Sequence, residues 1–166
     1  MKNGYICILT QDSAGALQAR DSFKYILKNF TLIASIKMPD KLFCAKSTVN
    51  TNIYLFKYGK HDKNKEVIFI DFSNDWYTKR KQKETCILTN KDKAKERYAG
   101  IIDIIKGSKE PNYYNDNIIR DKITTDVISL NYSGYRVLDT IPTEEYFKKN
   151  VSQYLSWKIS AMLSNK

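Results

Sequence analysis

Between Tyr5 and Phe72 four short runs of β-forming residues surround one helical stretch, and this succession points to an α/β sheet. Tyr5-Ile6-Cys7-Ile8-Leu9 is apolar at every position, the pattern of a strand covered on both faces. Leu17, Phe23, Leu27 and Phe30 then recur at helical spacing, with Arg20, Lys24 and Lys28 on the solvent side. Ser13-Ala14-Gly15 supplies the turn from strand to helix. Residues 32–36, 53–58 and 67–72 follow as further strands, the last dense in Val, Ile and Phe. The connection 39–52 does not demand a helix, so the second and third strands are free to pair antiparallel.

Beyond Ser73 the character changes. Trp76 and Tyr77 precede a basic cluster, Lys79-Arg80-Lys81-Gln82-Lys83, read as a loop. Thr89 or Asn90 can cap a helix whose stripe is Ala94, Tyr98, Ile101, Ile102 and Ile105, and Gly107 ends it. Residues 108–117, with Pro111, read as loop, and residues 127–130 as one more strand. Thr143 caps a final helix with Glu144 and Glu145 in its first turn and Val151, Leu155, Ile159 and Met162 along one face. Three sections result: a sheet over 1–73, a basic loop, helix and irregular extension over 74–142, and a C-terminal helix over 143–166.

At 166 residues the chain can bury a core of its own. Lys and Arg number 28 against 18 Asp and Glu, giving +10, which suits a polyanionic partner. The competing explanation is coding bias, because Lys, Asn, Ile and Tyr are all abundant, as in an A/T-rich genome. The cations of residues 79–83 could neutralise phosphates while Trp76 and Tyr77 stack on bases; the alternative is a solvated charge run.

Other chemistry finds little support. Cys7, Cys44 and Cys86 have no C-x-x-C spacing, and His61 is the lone histidine, set in a polar loop. Neither a zinc site nor a histidine-based triad can be assembled from them. No G-x-G-x-x-G or phosphate-loop motif is present. Asp71 and Asp75 read as a polar strand end, and an unrelated small enzyme built on them is a third reading. No apolar run is long enough for a membrane span or a signal peptide, so a soluble, cytoplasmic protein with no membrane partner is expected.

The order of segments resembles a known family. Asn3-Gly4-Tyr5-Ile6-Cys7-Ile8-Leu9-Thr10 is similar to the strand that follows the catalytic loop in the modification subunit of type I restriction systems. Leu32-Ile33-Ala34-Ser35-Ile36-Lys37-Met38-Pro39 resembles that family's "L-x-A-I-I-x-L-P", and Val67-Ile68-Phe69-Ile70-Asp71-Phe72-Ser73 its "V-L-F-I-D-A-S". Leu130-Asn131-Tyr132-Ser133-Gly134-Tyr135 is similar to its "L-N-x-S-R-Y", with Gly134 where the family tends to have Arg. The phrases keep their order from Asn3 to Tyr135.

That resemblance implies the carboxy-terminal part of an adenine-specific DNA methyltransferase. The fold it implies is a partial Rossmann-like, mixed sheet, from the fifth strand onward, plus a C-terminal helical extension. Family members bind S-adenosylmethionine over a Gly-containing loop after the first strand and hold the flipped adenine at an Asn-Pro-Pro-aromatic loop after the fourth. Neither motif is present here, so the chain alone is expected to bind no cofactor and to be inactive, as a truncated product or fragment would be. By the same resemblance Phe43, after the sixth strand, is the candidate wall of the target-base pocket; the alternative is a core residue. Implied partners are DNA and a missing amino-terminal methyltransferase half, a specificity subunit or a second copy covering the bare edge of residues 5–9. The competing class is a non-catalytic α/β module that binds nucleic acid or protein.

Overall fold

A computed structural model describes residues 4–16, 19–40, 42–43, 49–82, 85–89, 91–108, 117–123, 129–136 and 143–164. The chain divides into two compact units, Met1–Arg136 and Val137–Lys166. In the first, β1 (Tyr5–Gln11) leads through a 3-10 turn at Asp12–Gly15 to α1 (Arg20–Asn29), β2 (Phe30–Lys37), β3 (Thr51–Tyr58) and β4 (Glu66–Asp71). There follow β5 (Thr78–Gln82), β6 (Thr85–Thr89), α2 (Lys91–Ile105) and β7 (Ile118–Lys122). The described residues thus form a mixed α/β fold.

Five strands form one sheet in the order β1-β3-β2-β4-β7, and β5 with β6 make a separate hairpin. β3 is antiparallel to both β1 and β2, as expected for the second and third strands of the sequence, while β2 and β4 are parallel. A bulge at Ile33 separates the pairs Leu32–Phe56 and Ala34–Leu55. One extra residue there reverses the facing of everything after it, so Leu32 packs with Phe56 while Ile36 packs on the opposite side.

The alternation of β4 shows how the sheet is covered. Val67 and Phe69 join Phe23 of α1, Leu130 and Tyr132 in one core, and Ile70 and Phe72 join Ile101 and Ile104 of α2 in the other. Each fully buried side chain of this size contributes about 1.5–3 kcal/mol over leaving it in water. Tyr135 stacks on Phe69 at 3.9 Å between centroids, which closes the first core.

Several expectations are corrected. Residues 5–9 are not covered on both faces: Tyr5 is 63% exposed and Ile6 41%, and no residue of β1 enters either core. The reason is position, because β1 is the end strand of the sheet and pairs along one edge alone. The basic run read as a loop is a strand, its Lys79, Arg80 and Lys81 opposite Leu88, Ile87 and Cys86. The inward stripe of α2 is Ala94, Arg97, Ile101 and Ile104, while Ile102 faces outward. Ser129 and Leu130 are not in a strand, and residues 127 and 128, Leu17 and Asn90 lie outside the described residues. His61, in its polar loop, is buried, and its backbone N–H donates to Leu27 O at 3.0 Å. Burial pulls its imidazole below the usual pKa, opposed by the Ile123 backbone.

The second unit contains α3 (Glu144–Ser164). Thr143 caps it as the sequence predicts, Oγ1 accepting from Tyr146 N at 3.3 Å, and Glu144 pairs with Lys148 one turn on. Val151, Leu155, Ile159 and Met162 are exposed, as are Tyr154 and Trp157. No helix among the described residues is long and apolar enough to cross a membrane.

Candidate nucleic-acid interface

Strand direction gathers the candidate residues at one rim. β1, β2 and β4 run the same way, so Gln11, Lys37 and Asp71 finish at one end of the sheet. Met38 N donates to Thr51 O and Phe72 N to Lys37 O, each at 2.9 Å, which locks neighbouring strand ends together. In open α/β sheets ligands meet the loops leaving the carboxyl ends of parallel strands. Phe43 lies in the loop leaving β2, and Trp76 and Tyr77 in the loop leaving β4.

Phe43 is 45% exposed, and its neighbour Leu42 is the residue that packs against the α2-side core. Phe43 itself is a member of neither core cluster of the described residues.

The loop after β4 is built from short side-chain bonds. Asp71 Oδ1 accepts from Ser73 N at 2.9 Å and from the Ser73 hydroxyl, and Asp71 Oδ2 lies 4.0 Å from Lys37 Nζ. Asn74 Oδ1 accepts from Trp76 N and Asp75 Oδ1 from Tyr77 N, both at 3.2 Å, two successive Asx turns. Within these turns Trp76 has φ +64°, a left-handed backbone that bulky residues rarely adopt.

Helix α2 secures that loop from beneath. Arg97 Nε donates to Asn74 O at 3.1 Å, and its guanidinium lies 5.2 Å from the Trp76 ring and 5.6 Å from that of Phe72. Tyr98 donates to Asp75 Oδ2 at 3.2 Å and meets Phe72 edge-on at 4.8 Å. Burial and the Asp75 carboxylate push the Tyr98 phenol well above its usual pKa. Trp76 and Tyr77 are left half-buried where the chain enters β5.

Lys83 lies outside the described residues. Trp76, Tyr77 and β5 are continuous in sequence, and the loop that leads into them leaves the same end of the sheet as the loop that carries Phe43. Sequence reading missed Asp75, Arg97 and Tyr98 as the supports. The available signal was Arg97 itself, a charge on the apolar stripe of α2.

The glycine turn after β1 is closed, because a Cβ on Gly15 would lie 1.8 Å from both Asn131 Oδ1 and the Tyr54 hydroxyl. That space holds the chain's own side chains rather than a cradle for a ligand.

Comparison with known proteins places this arrangement. The family model for N-6 DNA methylases matches residues 13–145. A type II restriction enzyme and methyltransferase, RM.BcgI of Heyndrickxia coagulans, is 30% identical over 144 residues, which is 86% of this chain and 22% of that protein. The chain thus spans about a fifth of the curated relative it matches. A solved structure of a type I restriction–modification system covers 99% of this chain and 35% of its own at TM-score 0.54 and 12% identity. A protein assigned as a modification subunit of a type I restriction enzyme from Vibrio vulnificus has TM-score 0.52 and 13% identity, over 78% of this chain and 26% of its own. These two likenesses concern the fold. The family inferred from the order of phrases in the sequence is the one the comparisons return. With residues 13–145 matched from the 3-10 turn after β1 into the start of α3, this chain belongs to the N-6 DNA methylase family.

Proposed function

We propose that this chain is the carboxy-terminal portion of an adenine-specific, S-adenosylmethionine-dependent DNA methyltransferase of a restriction–modification system. In this reading its sheet is the later half of a Rossmann-like sheet, and residues 143–166 form a helical extension. The chain supplies one wall of the target-base pocket through Phe43 and DNA contacts through Trp76, Tyr77, Lys79, Arg80, Lys81 and Lys83. The cofactor and the Asn-Pro-Pro-aromatic loop belong to another chain segment, so the chain is inactive alone and acts in the cytoplasm as part of an assembly. A specificity subunit or a second copy completes that assembly.

One observation carries this reading. Among the described residues β1 is apolar from Tyr5 to Leu9, exposed on both faces and paired along one edge alone, with β3. An edge of that composition is a template for another strand. In this reading a cofactor-binding half continues the sheet at β1, and the match to the N-6 DNA methylase family supports it.

The test is methyl transfer from labelled S-adenosylmethionine to adenine-rich duplex DNA. No transfer by the chain alone, and transfer after mixing with a chain carrying the cofactor and Asn-Pro-Pro motifs, is the expected result. Failure to complement, with salt-sensitive DNA binding retained, would favour the non-catalytic α/β module. Turnover or tight cofactor binding by the chain alone would overturn the proposal.

A further inference from the structure

Arg97 is 2% exposed and ranks among the largest fully buried side chains of the protein. It occupies the inward stripe of α2 between Ala94 and Ile101, where an aliphatic residue would satisfy packing without the cost of desolvating a cation. What the guanidinium does there is visible in its bonds. It grips the Asn74 carbonyl through Nε and lies against the Trp76 and Phe72 rings. A lysine could supply the charge but neither the planar surface nor an Nε donor at that place. Left-handed backbone at a bulky residue persists only where the surroundings over-determine it, and such residues cluster at functional sites.

We infer that Arg97 is a positioning residue for nucleic-acid binding: it holds Trp76 in its left-handed conformation so that the indole is presented as a stacking surface for a base. The inference rests on the proposed reading that Trp76 touches DNA. Pre-organisation is the gain, because a ring already fixed before encounter loses little freedom on binding. Asn74 and Asp75 set the turn, and Arg97 fastens it to α2.

The experiment uses the full chain carrying W157F, which leaves Trp76 as the remaining one of two tryptophans. The probe is a duplex with 2-aminopurine opposite a mismatched base, whose fluorescence falls when it stacks. W76A and R97K should each weaken binding about tenfold and abolish the quenching, the range expected when one base loses its aromatic partner. The salt dependence of binding should stay the same in R97K, since no phosphate contact is lost. The double variant W76A/R97K should bind no worse than W76A.

In the free R97K protein, acrylamide should quench Trp76 more readily than in the parent. R97M, which suits the apolar stripe of α2 and therefore folds, should behave like W76A. Parent-like binding by R97K and R97M while W76A is weakened would overturn the role of Arg97 and leave that of Trp76 standing. Additive losses in the double variant, or a changed salt slope in R97K, would likewise overturn it. Parent-like binding by W76A would overturn the DNA reading itself, and the role of Arg97 with it.

Discussion

The Tyr54 hydroxyl donates to Asn131 Oδ1 at 2.5 Å, joining two residues 77 apart in sequence. The same oxygen accepts from Asn52 Nδ2 at 3.0 Å, and Asn131 Nδ2 donates to Asp12 O at 2.8 Å. Ser129 Oγ accepts from Asn131 N at 3.0 Å and donates to Gly15 O at 2.9 Å, where Leu130 N also donates. One asparagine thus ties the end of β1, the start of β3 and the segment 129–136 into a single buried polar cluster. A buried group stripped of its partner costs about 1–3 kcal/mol. Asn131→Ala strips several at once and should lower stability by about 2–4 kcal/mol in urea unfolding, against about 1 kcal/mol for Y54F. A double-mutant cycle should show coupling between the two; strict additivity would mean that the contact contributes nothing.

Gly15 is required by close approach. A methyl there would meet Asn131 Oδ1 and the Tyr54 hydroxyl at 1.8 Å, and neither can retreat without breaking the cluster. Gly15→Ala should therefore destabilise by about 1–3 kcal/mol or more. Gly107→Ala makes a useful contrast. It meets open space, but its φ of +78° strains any L side chain, for a cost of about 1 kcal/mol. Thermal unfolding that ranks G107A as the more damaging would contradict the packing account.

Alkaline pH should weaken the fold for an identifiable reason. Burial pushes the Tyr54 phenol up to about 12, Asn52 opposing and Asp12 adding to the rise. Burial and Asp121 push Tyr135 to about 12, and Tyr98 is raised as well. The folded chain therefore keeps protons that the unfolded chain releases at its ordinary 10.0, so stability is intact below that pH and falls as pH rises towards 12. Phenolate absorbance should show these tyrosines titrating together with unfolding. Y54F should flatten the alkaline slope. A titration in which every tyrosine ionises near its ordinary value without unfolding would refute the burial assigned to them.

The parts legible in sequence were those whose structure is set locally. The dense β-formers of residues 53–58 and 67–72 fold as β3 and β4, with ends shifted by one or two positions. Thr143 caps α3, and Gly107 follows the last turn of α2 in the left-handed region. β7 was missed because Ile118-Ile119-Arg120-Asp121-Lys122 has the charged tail of an end strand, which looks like loop until β4 pairs with it. β5 was missed because a run of cations gives no hydrophobic alternation to read. Of the candidate site, Trp76 and Tyr77 were legible as aromatics beside charge. The grip of Arg97 on Asn74, 23 residues away, was not, since it exists only once α2 lies against the sheet. The Asn131 cluster was hidden for the same reason.

The outer edge of β1 yields the prediction with the widest reach. Its exposed side chains include Ile6, Ile8 and Leu9, and Cys7 carries an exposed free thiol. An uncharged, unpaired edge of this kind recruits a strand from whatever is at hand. The isolated chain should therefore self-associate, with light scattering reporting a mass above 19.3 kDa. Ile8→Lys places a charge at a position 41% exposed, so it should leave stability within about 0.5 kcal/mol while returning the chain to a monomer. Maleimide labelling of Cys7 should be slow in the associated parent and fast in the variant. Amide exchange supplies the decisive check, since β1 amides pointing away from β3 should be protected only on association. A parent chain that is monomeric yet protects those amides would show that its own residues cover the edge, and no partner strand would be needed.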